Sequence, residues 1–477
     1  MPRETIAIAG ATGFVGRVLI NSLLPQHNII GLTRGTLPGP CVLNPGHPCP
    51  VKWRTCDLYS LSHCEHSLID VDTAIYLVHS MLPSAKLTQG SFQDMDLLMA
   101  DNFARAAKKN HVKRILYLGG FVPEDAFLSR HIRSRLEVQQ VLASHGVPVT
   151  ALRAGIIIGP GGSSARMIFD IIKNLPIIPC PPITNSLTQP IALSDVIEIF
   201  NYVIENPHYE TQSFDIGGPE ILTYKNLIRA ATNAMGLKRT LVPLPFFGPA
   251  LCKRLLAVCT TAPYELTSPL VESLKHNMVQ KSRYLQDQMG QKGVPLSQAL
   301  YCALTETPEG DRHRCCLPEP SWKKKFAKQK VRSVQRLPLP PGKSLQWMAN
   351  EYGKFHHTIF KFLVRGDVSE SNVTSVKLRL FGISLLELTF SPTHSYAERA
   401  FFFITGGILA QQQVHRKTEH RPRLEFRRVF SGDFVIVALH DFVPALPWFL
   451  YICTQALAHV LFMKLFSRKM KSLSKSY

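Results

Sequence analysis

His131 and Arg135, in the segment HIRSR, stand four residues apart and so share one face if the segment is helical. His131 could serve as a general acid, because an imidazole exchanges protons near neutral pH without special tuning. Arg135 keeps its charge and cannot exchange a proton, but its planar fork of donors could bind a ribose or orient an acidic substrate. The plainer alternative is that SRHIRSRLEV merely opens a helix, with both residues solvated or touching a cofactor.

A second group lies at the N-terminus. IAIAGATGFVG spaces Gly10, Gly13 and Gly16 by three residues between an apolar run and a helix start. Gly10 allows the tight turn, Gly13 lets the backbone approach a pyrophosphate, and Gly16 permits close helix–strand packing. The amides of that helix start, around Thr12, Phe14 and Val15, would face the anion. After a strand and inside a repeated βα pattern, such a triplet points to a dinucleotide. The next apolar run ends at Thr33-Arg34, where an NAD protein usually has a carboxylate for the ribose 2′-hydroxyl. Arg34 suits the 2′-phosphate of NADP instead, unless it is only a solvated strand end. Asp57 and Leu58 end the third run, where the adenine edge would lie.

These residues need a sheet to bring them together. TIAIAG, NIIGLTR, VKWRTCD, TAIYLV, RILYLGG and VPVTALR are short aliphatic runs, and helical periods such as FARAAKKN and RLEVQQVLASHG fall among them. That alternation predicts an α/β fold, a doubly wound parallel sheet of Rossmann type over residues 1–240. The segment GTLPGPCVLNPGHPCP is too rich in proline for a helix and reads as a loop crossing. Residues 241–304 read as a helical substrate-side cap, and residues 305–330 as a basic linker.

From Val331 to residue 477 the pattern changes to antiparallel strands: SVKLRLFG, SLLELTFSP, RAFFFITGGIL, PRLEFRRVF and DFVIVALHDF. They precede one long apolar stretch, residues 444–466, so a barrel-like sheet wrapped on a C-terminal helix is expected. The stretch is long enough to span a bilayer, but Gln455, His459 and Lys464 are costly in hydrocarbon. A buried helix with peripheral contact to an anionic membrane surface through the basic flank SRKMKSLSK is the expectation.

Hydrophobic content of 45% against 18% charged describes a globular chain, and 477 residues allow two or three domains. The net charge of +20 could serve an anionic ligand or membrane; nucleic acid lacks support, with no arginine-rich arm, zinc-finger spacing or helix-turn-helix pattern. No apolar signal core opens the chain, so a cytoplasmic first domain is expected. Eleven cysteines include no C-x-x-C pair. The cluster Cys41, Cys49, Cys56 and Cys64 with His47, His63 and His66 has the wrong spacing for structural zinc, so free thiols and no metal are expected.

In order, GATGFVG, Asp57-Leu58, LRAGIIIGPGG, PIALSDVIEIF and FDIGGPEILTYKNLI resemble the extended, atypical short-chain dehydrogenase/reductase superfamily over residues 5 to about 236. YLVHSM, HIRSR, TQPIAL and LTSPLVESLKH resemble an uncharacterised group of NAD(P)H-binding proteins within it. The resemblance implies an NADP(H) site, NAD being the lesser choice, with Val78 and His79 among its contacts. LEFRRVF and the final helix resemble the helix-grip fold of lipid- and polyketide-binding domains, which implies an α+β domain for an apolar ligand.

A reductase of this superfamily uses Tyr-x-x-x-Lys. None of the thirteen tyrosines has a lysine or arginine four residues on, and LYLGGF lacks the usual serine. His131 and Arg135 stand where the tyrosine and lysine would be. Two expectations follow: an NADP(H)-dependent oxidoreductase for a hydrophobic carbonyl or quinone-like substrate, reached through the C-terminal cavity, or a non-catalytic dinucleotide sensor or scaffold whose C-terminal domain binds a lipid or partner.

Overall fold

Aliphatic runs too short for helices and bounded by turn residues form the strands of the first unit. The computed structural model describes residues 3–35, 50–80, 87–124, 127–245, 248–260, 264–305, 331–359, 375–380, 383–410, 421–430 and 434–475. The proline-rich crossing with Cys41, His47 and Cys49, and all but the first residue of the 305–330 linker, lie outside the described residues.

The chain begins with β1 (Thr5–Ala9), α1 (Phe14–Leu23), β2 (Asn28–Thr33), β3 (Val51–Thr55), α2 (Leu61–Ser67) and β4 (Thr73–Tyr76). After β5 (Leu87–Gln89) come α3 (Phe92–Lys109), β6 (Arg114–Gly120), α4 (Arg130–Ala143) and β7 (Val149–Ala154). Short strands and helices follow: β8 (Ile157–Ile158), α5 (Ser163–Asn174), β9 (Ile177–Cys180), β10 (Leu187–Thr188), β11 (Ile191–Ala192) and α6 (Leu193–Glu205). The first unit ends with β12 (Ser213–Ile216), β13 (Leu222–Thr223), α7 (Tyr224–Ala234), β14 (Thr240–Pro243), α8 (Pro249–Cys259), α9 (Tyr264–Ser273), α10 (Tyr284–Gln288) and α11 (Leu296–Thr305).

Its main sheet has the order β12-β7-β6-β4-β1-β2-β3, and every pairing is parallel. Consecutive residues of β1, β4 and β6 are buried, because helices cover both faces of a parallel sheet. This is the doubly wound, Rossmann-type architecture. Strand order reverses where β1 lies between β2 and β4, the switch point at whose carboxyl ends open α/β sheets bind ligands.

The chain divides into Met1–Leu82 with Met99–Lys323, and Pro83–Leu98 with Lys324–Tyr477. The contiguous 1–240 domain read from sequence therefore has a different outline: residues 83–98 cluster with the second unit. The cause is a pairing remote in sequence. Leu87 and Gln89 of β5 lie parallel to Val331 and Ser333, and Asp94 takes an ion pair from Arg336 at 2.8 Å. Three residues, LTQ, carry no alternation from which such a strand could be read.

The second unit contains β15 (Val331–Pro338), α12 (Leu345–Ile359), β16 (Ser375–Leu380), β17 (Ile383–Phe390), β18 (Arg399–Gly406), β19 (Arg423–Arg428) and β20 (Phe434–Phe442). α13 (Trp448–Tyr451), a π-turn at Ile452–Ala456 and α14 (Leu457–Lys475) complete it. The order is β16-β17-β18-β19-β20-β15-β5, antiparallel except at β15–β5. All five expected strands are present; β15 and α12 are additional. Between sheet and helices, Tyr352, Phe355, Phe426, Phe462 and Phe466 pack ring against ring.

Alternation along β19 sends Leu424 and Phe426 into that core, and Arg423, Glu425 and Arg427 to the other face. There Glu425, Arg427 and His440 are 1%, 1% and 2% exposed. Glu425 meets Arg399 and Arg427 at 2.6 Å each and His440 at 2.9 Å, while Arg423 meets Asp441 at 3.0 Å. Burial alone would raise the Glu425 carboxyl, but Arg427, Arg399 and His440 hold it well below the carboxylate range. Burial pushes His440 down to about 4 against the pull of Glu425. A histidine kept neutral in the fold costs stability once the unfolded chain can protonate it. Thermal stability should thus be full above about pH 6.5 and fall as pH drops toward 4, by on the order of 3 kcal/mol from this residue. His440→Gln should flatten that slope in melting curves; an unchanged slope would assign it to other groups.

Candidate functional site: a dinucleotide crevice beside an apolar cavity

The turn after β1 is closed by the Gly13 amide donating to the Gly10 carbonyl at 2.8 Å. Gly10 has φ +90°, a left-handed conformation that L side chains rarely adopt. A Cβ on Gly16 would sit 2.3 Å from the Gly10 oxygen, so the helix can approach the turn only because Gly16 has no side chain. Gly13 caps α1 without a side-chain acceptor, and no acid stands in the first turn. The amides at that end, in the turn holding Thr12, Phe14 and Val15, suit an anion from a ligand. These residues fit a dinucleotide.

The other expected contacts gather along the same edge. Arg34 is exposed just past the end of β2. Asp57 follows β3, where its carboxylate accepts from the Tyr59 amide at 3.3 Å and its carbonyl from the Ser60 amide at 2.8 Å, shaping the turn. Leu58 is buried, and its carbonyl accepts from Asn102 at 2.8 Å. Val78 and His79, both half-buried, follow β4.

α4 supplies the remaining pair. Ser129 caps it by accepting from the Ile132 amide, and a bond to Ser273 of α9 at 2.9 Å ties down this end. Glu272 holds the same corner: Arg130 and Lys253 each lie 2.7 Å away, and the Arg130 hydrogen bond, with help from Lys253, draws its carboxyl down to about 2. His131 then meets His79, Nδ1 against Nε2 at 3.2 Å, with ring centroids 5.0 Å apart. Arg135, one turn on, donates through Nη2 to the Leu118 carbonyl, and its own carbonyl accepts from Tyr117 at 3.0 Å. Its Nη1 is buried with no hydrogen-bond partner among the described residues. Tyr117 is thereby committed to structure.

Beyond these residues lies a cavity of about 280 Å³ that reaches the ends of β6 and β7 at Gly120 and Ala154. Its walls are aliphatic, with Ile168 and Ile171 from α5, Leu227 from α7, Leu256 from α8 and Leu270 from α9. His131 and Arg135 stand on one wall. Tyr224, also on the wall, has its phenol pushed up to about 12 by burial, so it is a neutral donor across the ordinary pH range. The expected cap segment 241–304 contributes α8 and α9 to this cavity. This cavity lies within the first unit.

From sequence, His79 reads as a cofactor contact alone, and nothing singles out Tyr224. The only local signals were the segments YLVHSM and ILTYKNLI, in which neither side chain announces its neighbour.

Residues 6–217 match the NAD dependent epimerase/dehydratase family. The match supports a nicotinamide dinucleotide as a ligand of this region. Among curated proteins, the chain is similar to the auxiliary protein GraX of Staphylococcus aureus, 27% identical over 154 residues. That segment is 31% of this chain and 43% of GraX, so the match spans less than half of the relative's length. Among solved structures, a nucleoside-diphosphate-sugar epimerase from Staphylococcus aureus is similar in fold, with a TM-score of 0.50 and 14% identity. It covers 62% of this chain and 99% of its own. The NADPH-dependent quinone oxidoreductase QOR2 of Escherichia coli, complexed with NADPH, aligns with a TM-score of 0.47 and 19% identity, over 62% of this chain and 98% of that one.

Gly16→Ala must force the helix off the turn, and should weaken dinucleotide binding at least about tenfold. Fluorescence titration checks this; native affinity in the variant would mean that the close approach does not shape the binding site.

Proposed function

We infer that the protein is an NADP(H)-dependent oxidoreductase that reduces a hydrophobic carbonyl or quinone-like substrate, with His131 as proton donor. The observation that carries this reading is the contact of His79 with His131, which stands on the wall of an aliphatic cavity. Two imidazole nitrogens 3.2 Å apart form a bond only if one carries the proton and the other accepts it. With Nδ1 of His131 accepting from His79, Nε2 of His131 holds the proton to be given to the substrate oxygen. The pair carries one extra proton: as Nε2 of His131 releases its proton to the oxygen, Nδ1 takes the proton that the His79 imidazolium donates across the same bond, and both rings end neutral.

Bound NADPH would supply the hydride to the carbonyl carbon. Arg135 orients the oxygen through Nη1, a donor without another partner among the described residues. The aliphatic walls exclude water and select an apolar substrate, since a bare polar group would lose its hydration there. Arg34, exposed at the end of β2 with no acid from Asn28 to Gly35, supports NADP(H) over NAD(H). The second unit, a sheet packed on helices, is read as a helix-grip domain. A non-catalytic dinucleotide sensor is the second reading, favoured by the commitment of Tyr117 to Arg135 and the missing Tyr-x-x-x-Lys.

Arg34→Ala should cost about 1–3 kcal/mol of NADPH binding and leave NADH binding unchanged. Calorimetric titration reads both, and equal affinity of the native protein for the two dinucleotides would overturn the preference. His131→Phe should slow NADPH oxidation with quinones or apolar aldehydes by roughly 10²–10⁴ while NADPH still binds. His79→Ala should also slow it, and Arg135→Lys should lower turnover because lysine lacks the planar fork. Full turnover in His131→Phe, lost in Tyr224→Phe, would move the proton donor to Tyr224. Tight NADPH binding without turnover in the native protein would establish the sensor.

A further inference from the structure

The segment Trp448–Ser474 is long and apolar enough to cross a membrane, yet only 28% of its most apolar window is buried. One face is committed to the second unit: Tyr451, Ala456, Phe462, Met463, Phe466 and Met470 belong to its core. His459 bonds Ser333 at 3.1 Å, and Lys469 pairs with Glu351 at 2.8 Å. These polar ties would break if the segment crossed a bilayer.

The opposite face is open. Phe449, Leu450, Ile452, Leu457 and Leu461 are 69%, 42%, 38%, 62% and 58% exposed. In α14 the open stripe runs through Leu457, Leu461, Lys464, Arg468 and Lys471, at the spacing that keeps one face of a helix. The five-residue π-turn before it resets the helical phase and spreads the earlier apolar side chains around the exposed end. The surface is thus apolar at its start and basic at its end, about 21 Å from Leu457 to Lys471. No Asp or Glu occurs from Val443 to Tyr477.

We propose that this face docks on an anionic lipid bilayer without crossing it. Phe449, Leu450, Ile452, Leu457 and Leu461 enter the boundary between headgroups and acyl chains. Lys464, Arg468 and Lys471 lie over the lipid phosphates. Only a bilayer surface offers hydrocarbon and a dense layer of anions at one boundary, in the order this face presents their complements. A second copy offers no carboxylate in this segment for the basic end to meet.

The full chain should sediment with vesicles made of equal parts phosphatidylcholine and phosphatidylserine, far less with phosphatidylcholine alone, and the binding should weaken with added salt. Leu457→Asp with Leu461→Asp should lower binding at least about tenfold, and so should Lys464→Glu with Arg468→Glu and Lys471→Glu. Unchanged melting and NADPH binding check that both variants fold. Absence of vesicle binding by the native chain overturns the proposal, as does binding that neither variant reduces. A concentration-dependent dimer that the Leu457→Asp, Leu461→Asp variant dissociates, without vesicle binding, overturns it in favour of a second copy.

Discussion

Parallel pairing imposes one polarity on all seven strands of the first sheet, so every turn that follows a strand emerges at the same edge. Gly10, Arg34, Asp57, His79, Gly120 and Ala154 are far apart in sequence and stand at the carboxyl ends of different strands or in the turns after them, yet this one constraint puts them along one edge. β1 sits where the strand order reverses, and its glycine turn can close there because nothing projects from Gly16 toward the Gly10 carbonyl. A side chain at that point would push α1 away and blunt the helix end that suits a pyrophosphate.

From the same polarity comes the pairing of His79 with His131. The turn after β4 and the first turn of α4, 52 residues apart in sequence, meet at hydrogen-bond distance. One histidine on a half-buried wall is only a polar residue in need of a partner. Two in contact are a donor and an acceptor, and His131 faces a cavity whose other walls are aliphatic. Arg135 closes the arrangement, held by Leu118 and Tyr117, with Nη1 buried and without a hydrogen-bond partner among the described residues. His79, His131 and Arg135 are thus anchored at three points of the sheet edge.

The second unit uses the two faces of one sheet differently. Phe426 and its neighbours on β19 fill the space toward the helices with rings, while Glu425 and its arginines occupy the other face as a buried ionic network. Such a network contributes less net stability than its short distances suggest, because each charge was first removed from water. It does fix register, since a one-residue slip of β19 would drive three charges into the aromatic core.

Local pattern by itself determined the first sheet's six aliphatic strands, the glycine turn, the place of Arg34 at a strand end, and the five antiparallel strands of the second sheet. Each is set by residues within one turn or one pleat of each other, where periodicity and the steric freedom of glycine act directly. Tertiary structure decided the rest. The attachment of β5 to β15, the His79–His131 bond, Tyr224 on the cavity wall and the location of the aliphatic cavity in the first unit all depend on residues distant in sequence. The C-terminal helix divides the same way. Its apolar length was legible from residues 444–466, but which side packs on the sheet was decided by the core beneath it and by the π-turn that shifts its phase.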